Sequence, residues 1–306
     1  MPPASFSGPV RRVSHPFGRG AIAVAVVASA VLAAGCAPQP EPGASASPGA
    51  ATAKGGSCEQ GRLTTETAGK LTVGTDKPAY APWFKDDKPS NGQGYESAVA
   101  YAVAEKLGFK KDDVVWQTVA FNNAFAPGEK KFDLDLNQIS ISDQRKKAVD
   151  FSSGYYDVRQ TVVALKNSKA AKARSVADLK NVKLGAQVGT TSLDVINEVI
   201  KPAEKPAVYQ KNDFAKAALK NGQVDGIVVD LPTAFYITGA EVPEASVIGQ
   251  FADTLGKAEQ FGAVLDKGSP LTPCVTAAVD ALRKDGTLAK LEKQWLADAV
   301  DAPVLK

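Results

Sequence analysis

From residue 71 onward, hydrophobic and polar positions alternate between the pattern of strands and the pattern of helices. Val99, Val103 and Leu107 recur every four residues and the run stops at Gly108, which is typical of an amphipathic helix with a glycine end. Short runs rich in β-branched residues predict strands at 71–75, 114–119, 132–141, 182–188, 207–210, 224–229 and 260–265. Longer periodic runs predict helices at 96–107, 191–200, 214–219, 271–284 and 288–296.

Strands that are separated by helices predict βαβ units and a mainly parallel sheet. This order runs once up to residue 141, starts again at residue 182, and returns in a last block from residue 260. We interpret the last block as the completion of the first unit. The sequence therefore predicts an α/β fold with two lobes and a cleft between them.

The first 35 residues have the organisation of a secretory signal peptide. Three arginines precede an apolar run at 21–34, which is too short for a comfortable membrane span. The run ends in LAAGC, which resembles a bacterial lipobox and implies cleavage before Cys36 and a lipid anchor on its sulfur. An ordinary secreted protein with an incidental cysteine is the alternative. Residues 36–57 are rich in Ala, Pro, Gly and Ser, which predicts a flexible tether.

Removal of the signal changes the charge balance. The chain has 36 Lys and Arg against 33 Asp and Glu, and the signal holds three arginines and no acidic residue, so the remainder is formally neutral. A neutral chain gives no support to nucleic-acid binding. The only histidine, His15, lies in the signal. A mature chain without histidine cannot use a Ser-His-Asp mechanism and lacks the commonest transition-metal ligand, so we expect no metal or cofactor.

Two cysteines remain besides Cys36. In an oxidising compartment, an even pair that is far apart in sequence favours a disulfide, here between Cys58 and Cys274. Two free thiols are the alternative.

The stretch ISISDQRKKAVDF at 139–151 places one arginine after an alternating apolar run. The predicted strand would put Arg145 just outside a carboxyl end, where open α/β sheets bind ligands. Its planar guanidinium can hold a carboxylate through two parallel hydrogen bonds. A solvated arginine beside Lys146 and Lys147 at the start of a helix fits the same residues.

Five motifs in order make the pattern more specific. They are LTVGTD, SDQRKKAVDFSSGYY, SVADLK with GAQVGTTS, NGQVDGIVVDLPTAFY, and DGTLAKLEKQW. Together they resemble the polar amino-acid class of extracellular solute-binding proteins, family three, which feed ABC importers.

The resemblance implies two α/β lobes that are joined by two crossing segments and close over one amino acid. We place the crossings near 156–162 and 249–258, the first lobe at 58–158 with 256–306, and the second lobe at 159–255. It also implies a monomeric, non-enzymatic lipoprotein on the outer face of the cell membrane that engages an ABC permease.

The resemblance gives roles to residues that would bind the backbone of an amino acid. Arg145 and Ser140 match the carboxylate-binding pair, and Thr191 falls at a helix start that would face the same anion. Asp230 matches the carboxylate that pairs with the α-ammonium. Thr191 as a simple N-cap, and Asp230 as the cap of a helix from Leu231, remain as alternatives.

Other matches concern the side chain of the ligand. Tyr80, Trp83 and Phe121 match aromatic walls, although surface packing also explains aromatics beside a proline. Asp76 and Gln187 match further positions that face the side chain of the ligand, and Gln138 stands where the family usually has a smaller residue. Asp76 would repel a carboxylate, which favours an amino acid of the glutamine or asparagine type, with a basic one next.

Two other classes of function fit parts of the pattern. A sensor lipoprotein would bind the same ligand and signal to a receptor. Dehydratases of prephenate-like acids share the fold and need a carboxylic acid in the cleft, for which Asp230 or Asp76 could serve. An ion-paired aspartate would have a low pKa and would be a poor acid, so we expect binding without catalysis.

Overall fold

The computed structural model describes residues 58–252, 258–297 and 301–306. The predicted signal peptide, the lipid-anchored Cys36 and the tether lie outside these residues. Within the described ranges, no helix is long and apolar enough to cross a membrane. The strands are β1 (Leu71–Thr75), β2 (Val114–Thr118), β3 (Leu134–Asp135), β4 (Val149–Val158), β5 (Gln160–Leu165), β6 (Leu184–Gln187), β7 (Ala207–Tyr209), β8 (Gly226–Asp230), β9 (Ala245–Phe251), β10 (Glu259–Asp266) and β11 (Val304–Leu305).

The helices pack on the faces of two sheets. They are α1 (Tyr95–Lys106), α2 (Phe121–Ala124), α3 (Thr191–Asp194), α4 (Asn212–Lys220), α5 (Leu231–Tyr236), α6 (Thr272–Lys284) and α7 (Thr287–Trp295). Segments of π-helix at Val195–Ile200 and Ile237–Glu241 continue α3 and α5. Turns of 3-10 helix lie at Gln60–Arg62, Pro89–Asn91, Lys111–Asp113, Arg145–Lys147, Lys169–Lys172 and Ala177–Leu179.

The first sheet has the strand order β2-β1-β3-β10-β4. Its strands β1, β2 and β3 are parallel, as the βαβ pattern predicts, whereas β10 is antiparallel to both β3 and β4. The last block of the chain thus supplies an interior strand of the first sheet, between β3 and β4. We call this sheet and the helices on it the first lobe.

The second sheet, with its helices, forms the second lobe. Its order is β11-β9-β5-β8-β6-β7, and β6, β7 and β8 are parallel while β5 is antiparallel to β8 and β9. The short strand β11 pairs with β9. The end of the chain therefore belongs to the second sheet, and the expectation that all of 256–306 lies in the first lobe is wrong for its last residues.

The chain passes between the lobes at two places. The first is between Val158, the last residue of β4, and Gln160, the first residue of β5, which is inside the expected crossing at 156–162. The second is between Phe251 of β9 and Glu259 of β10, and part of it lies outside the described residues.

Separate hydrophobic cores stabilise the two lobes. In the first lobe, Tyr95 of α1 and Leu134 of β3 are fully buried, and α6 and α7 contribute Val275 and Leu288. In the second lobe, one cluster around Val162 of β5 packs on one face of the sheet and another cluster packs on the opposite face. Each lobe thus buries its own apolar sheet faces, which leaves polar side chains at the junction.

A disulfide joins Cys58 to Cys274 of α6, with the two Cα atoms 5.4 Å apart and a sequence separation of 216. This confirms the predicted pairing. It attaches the start of the described chain to the core of the first lobe, against which Cys58 packs.

The predicted strand at 132–141 is wrong except for Leu134–Asp135 and for a single antiparallel bridge from Ser140 to Phe261 of β10. Gln138 has a left-handed backbone with φ of 49°, and its N–H donates to Glu96 Oε1 at 2.7 Å and not to a neighbouring strand. Arg145 therefore follows an irregular segment and lies in the turn Arg145–Lys147. The residue still reaches the junction of the lobes.

Candidate functional site

Side chains from both lobes line a cavity of about 40 Å³ at the junction. Eight of the ten predicted ligand-binding residues line it: Asp76, Tyr80, Phe121, Gln138, Arg145, Gln187, Thr191 and Asp230. Our sequence reasoning missed the others, which are Asn137, Gln160, Thr190, Ser192, Asn212, Val229 and Phe261. Most of these are neutral polar residues, whose positions in sequence carry no distinctive signal.

Arg145 connects the two lobes through backbone carbonyl groups. Its Nη1 donates to the Ser140 carbonyl oxygen at 2.6 Å, and its Nη2 donates to the Gly189 carbonyl oxygen at 2.8 Å. The guanidinium carbon lies 4.4 Å from the centre of the Phe125 ring. Burial lowers the pKa of Arg145 to about 10, so the group remains charged at neutral pH. The cavity thus has a fixed cation on one side.

Asp230 supplies a carboxyl group from the end of β8. Its Oδ1 accepts a hydrogen bond from the Thr233 N–H at 3.1 Å, so it is the N-cap of α5 as well as part of the cavity wall. The two roles that the sequence left open are therefore compatible. Burial raises the pKa of Asp230 to about 6, with a contribution from the negative charge of Glu259. This direction is opposite to the lowered pKa that we expected for an ion-paired aspartate.

The hydroxyl groups of Ser140 and Thr191 face each other across the junction, with their oxygens 3.2 Å apart. Thr191 lines the cavity, but it is not the N-cap of α3. The cap is Thr190, whose side chain accepts from the Leu193 N–H at 3.2 Å. Ser140 is buried beside the cavity and is not among the side chains that line it.

The aromatic side chains divide into two groups. Tyr80 and Phe121 line the cavity, as expected. Trp83 does not, because its ring is fully buried in edge-to-face contact with Tyr95, Tyr156 and Phe261. The structure therefore places Trp83 in the core and not on the wall of this cavity, where we expected it.

Trp83 instead connects the lobes. Its Nε1 donates to Thr233 Oγ1 of α5 at 2.9 Å. At the edge of the cavity, Lys211 Nζ donates to the Lys77 carbonyl oxygen at 2.5 Å and lies 3.6 Å from Asp76 Oδ1. Together with Arg145, these contacts hold the two lobes against each other.

The predicted side-chain-recognising residues make contacts within the protein. Asp76 accepts from the N–H groups of Lys77 at 2.6 Å and Phe121 at 3.2 Å, in addition to its ion pair with Lys211. Gln187 Oε1 accepts from the Asn212 N–H at 2.9 Å. These contacts fix both side chains on the cavity wall.

Gln138 contacts a buried carboxyl group beneath the cavity. Glu96, in the first turn of α1, accepts from the Gln138 N–H and side-chain amide and from the Tyr155 hydroxyl at 2.5 Å. Burial raises the pKa of Glu96 to about 7. We did not predict this residue, because a glutamate at the start of an amphipathic helix usually lies in solvent.

The described residues contain no group of three or more His, Cys, Asp or Glu side chains that could hold a metal ion. The arrangement instead offers one cation, carboxyl groups and neutral hydrogen-bonding groups around a small cavity. Such a site can bind a small ligand that has charges of both signs.

The family model for bacterial extracellular solute-binding proteins, family 3, matches residues 71–298. The chain belongs to this family. The two-lobed structure and the cavity at the lobe junction agree with membership. The resemblance that the five sequence motifs indicated is confirmed.

Known relatives of this solute-binding protein are named for amino acids. It is 30% identical over 230 residues to the probable histidine-binding protein of Campylobacter jejuni, a match that covers 74% of this chain and 84% of that protein. An ancestral arginine-binding protein bound to arginine is 30% identical with a TM-score of 0.61, covering 74% of this chain and 97% of that one.

A further solved structure is similar to this solute-binding protein. It is an ancestral amino acid-binding protein described as a precursor of cyclohexadienyl dehydratase. It is 32% identical with a TM-score of 0.61, and the match covers 74% of this chain and 95% of that one.

Proposed function

We propose that this protein binds one α-amino acid in the cavity between its lobes and delivers it to an ABC importer. The main support for the proposal is that two side chains of opposite charge line the same small cavity. They are Arg145 from the first lobe and Asp230 from the second. An α-amino acid has a carboxylate and an ammonium group close together. It can therefore pair with both residues at once.

The position of the two charges gives the ligand its effect on conformation. A ligand that contacts Arg145 and Asp230 joins the two lobes, and it stabilises the state in which both contacts exist. Burial of the cavity strengthens both interactions because water is excluded. We infer that the importer engages this loaded, closed form.

The charges on the cavity favour a neutral polar or a cationic side chain. Asp76 and Asp230 both line the cavity, and Arg145 is the cation opposite them. Once Arg145 binds the α-carboxylate and Asp230 the α-ammonium, Asp76 remains to face the side chain. Its ion pair with Lys211 weakens the repulsion of an acidic side chain without reversing its sign. Two of the relatives are named for histidine and arginine, which supports a nitrogen-containing side chain, while another is named for cystine.

The setting that we propose follows from the family and the first residues of the chain. A signal peptide at 1–35 and a lipid on Cys36 would anchor the protein to the outer face of the cell membrane. The tether at 36–57 would let a monomeric binding domain reach a permease in that membrane. Incorporation of labelled fatty acid into the wild type and its loss in Cys36→Ala would test the anchor.

A screen of the twenty amino acids by thermal shift, followed by calorimetry, tests the proposed function. Arg145→Ala should lose binding of the amino acid that stabilises the wild type, because the carboxylate loses its charged partner. Lys146→Ala is the matched control, since that side chain is the exposed neighbour of Arg145. Unchanged affinity in Arg145→Ala would contradict the site. Stabilisation by glutamate or aspartate alone would contradict the side-chain argument.

An enzyme on the same fold is the second candidate. Asp230 has a pKa of about 6, which suits a general acid near neutral pH. A solved structure that this chain resembles is named both an amino acid-binding protein and a precursor of cyclohexadienyl dehydratase, which is why we test this class of chemistry. Incubation with a prephenate-like acid and detection of its aromatic product would test this candidate, with Asp230→Asn as the inactive control. A sensor role would involve the same ligand, and a receptor in place of the permease would identify it.

A further inference from the structure

Glu259 places a carboxylate between hydroxyl groups of the two lobes. It is the first residue of β10, directly after the second crossing. Ser140 Oγ donates to Glu259 Oε1 at 2.5 Å, and Thr191 Oγ1 donates to the same oxygen at 2.6 Å. The amide of Gln160, at the first crossing, donates to both carboxylate oxygens at 3.1 and 3.3 Å. One carboxylate, at the end of the second crossing, thus accepts hydrogen bonds from both lobes and from the first crossing.

These contacts exclude a second carboxylate from the same donors. A hydroxyl group has a single hydrogen to donate. While Ser140 and Thr191 donate to Glu259, neither can donate to the carboxylate of a bound amino acid. Ser140 and Thr191 are the two hydroxyls that the family resemblance assigns to that carboxylate. Glu259 and the ligand therefore need the same two hydrogens.

The surrounding charges lead to the same conclusion. The negative charge of Glu259 acts on Arg145, where it opposes the effect of burial on the arginine pKa. Arg145 donates to the carbonyl oxygen of Ser140, whose hydroxyl contacts Glu259, so the cation and the carboxylate share one small region. A ligand carboxylate that enters this region meets a like charge as well as donors that are already engaged.

We propose that Glu259 is an internal substitute for the α-carboxylate of the ligand, and that it holds the lobes together in the ligand-free protein until an amino acid displaces it. This inference rests on the proposed function, because it takes the ligand to be an α-amino acid at Arg145. The inference adds that the Glu259 carboxylate competes with the ligand carboxylate for the same hydroxyl groups. The competitor reduces the observed affinity by the fraction of molecules in which Glu259 occupies the hydroxyls.

Two variants of Glu259 separate competition from a supporting role. Glu259→Gln removes the charge and keeps the shape, and Glu259→Ala also removes the acceptor. Calorimetry with L-arginine, L-histidine and L-glutamine should show binding to both variants about tenfold tighter than to the wild type, equivalent to about 1.4 kcal/mol. Glu204→Gln is the matched control, since it makes the same change at an exposed carboxylate of the second lobe and should leave the affinity unchanged.

A second measurement needs no ligand. Small-angle X-ray scattering of the ligand-free proteins should give a larger radius of gyration for Glu259→Ala than for the wild type and Glu204→Gln, because the contact between the lobes is lost. Glu259→Gln should give a smaller increase, because it keeps an acceptor but not the charge. Circular dichroism checks that each variant is folded. If no amino acid binds the wild type, the proposed function fails, and the scattering still decides whether Glu259 holds the lobes together. A radius of Glu259→Ala equal to that of the wild type, or weaker amino-acid binding by the variants, would overturn the inference.

Discussion

Protonation of Asp230 should make amino-acid binding depend on pH between 5 and 7. Burial raises the pKa of this carboxyl group from its ordinary value of 3.8 to about 6. Only the ionised form can pair with the ammonium group of a ligand. Ligand and proton therefore compete for Asp230, so affinity falls as the pH decreases through 6 and binding releases a proton.

The size of the effect follows from the fraction of Asp230 that is ionised. With a pKa of about 6, roughly 90% of the molecules are ionised at pH 7 and roughly 10% at pH 5. The dissociation constant should therefore be about tenfold larger at pH 5 than at pH 7. Arg145, with a pKa of about 10, stays protonated across this range and cannot produce the change.

Calorimetry at pH 5, 6 and 7, in buffers with different ionisation enthalpies, measures both the affinity and the released proton. In Asp230→Asn the affinity should be weak and should no longer depend on pH. Glu96, with a pKa of about 7, is a second buried carboxyl group that titrates nearby. Because Glu96 does not line the cavity, Glu96→Gln should keep the pH dependence. Equal wild-type affinities at pH 5 and 7, or a pH dependence that survives in Asp230→Asn, would refute the reasoning.

Three further predictions concern stability. Because its pKa is raised, Asp230 stays protonated to a higher pH in the folded state than in the unfolded state. The free energy of unfolding therefore falls as the pH rises from 3.8 to about 6. Ligand-free Asp230→Asn should therefore be more stable than the wild type at pH 8, by up to about 3 kcal/mol in urea unfolding; a less stable variant would contradict this. Replacing Cys58 and Cys274 by alanine should lower the unfolding free energy by about 4 kcal/mol, since the disulfide closes a long loop. As a control, the wild type should lose the same amount in a reducing buffer. An unchanged unfolding free energy would contradict this prediction. Trp83→Phe should lower the unfolding free energy by about 1 kcal/mol, because the hydrogen bond from Trp83 to Thr233 is lost. A variant that unfolds at the same temperature as the wild type would argue against that contact.

The parallel parts of both sheets could be predicted from sequence because each strand is followed by a helix with a clear periodicity. The predicted runs at 71–75 and 207–210 correspond closely to β1 and β7. The antiparallel strands β4, β5 and β9 were not predicted. No helix separates β4 from β5, so the βαβ pattern contains no place for that pair, and in β4 the run SSG interrupts the apolar alternation. These strands are also the ones that carry the chain between the lobes.

Prediction of the site had a similar limit. Arg145 and Asp230 both line the cavity, but it was the resemblance to the family that singled them out. The residues alone left a solvated arginine and a helix cap open as alternatives. The aromatic residues were less certain, since a tryptophan in a loop beside a proline can face a ligand or the core. Trp83 is buried because α1 supplies Tyr95 and the antiparallel strands supply Tyr156 and Phe261, and three elements distant in sequence had to be placed before that could be known.

Gln160 and Glu259 show which sequence pattern could indicate residues at the junction between the lobes. Each is a polar residue directly before an apolar strand, TVVAL after Gln160 and QFGAVL after Glu259. A polar group at the start of a buried strand needs partners, because burial without hydrogen bonds is costly. The partners cannot be identified from spacing, since Ser140 and Thr191 lie 119 and 68 residues from Glu259. What the position does indicate is that the partners come from the other strand ends at the same edge. In this protein, whose chain crosses twice between two sheets, that edge is where the lobes meet and where we propose that the ligand binds.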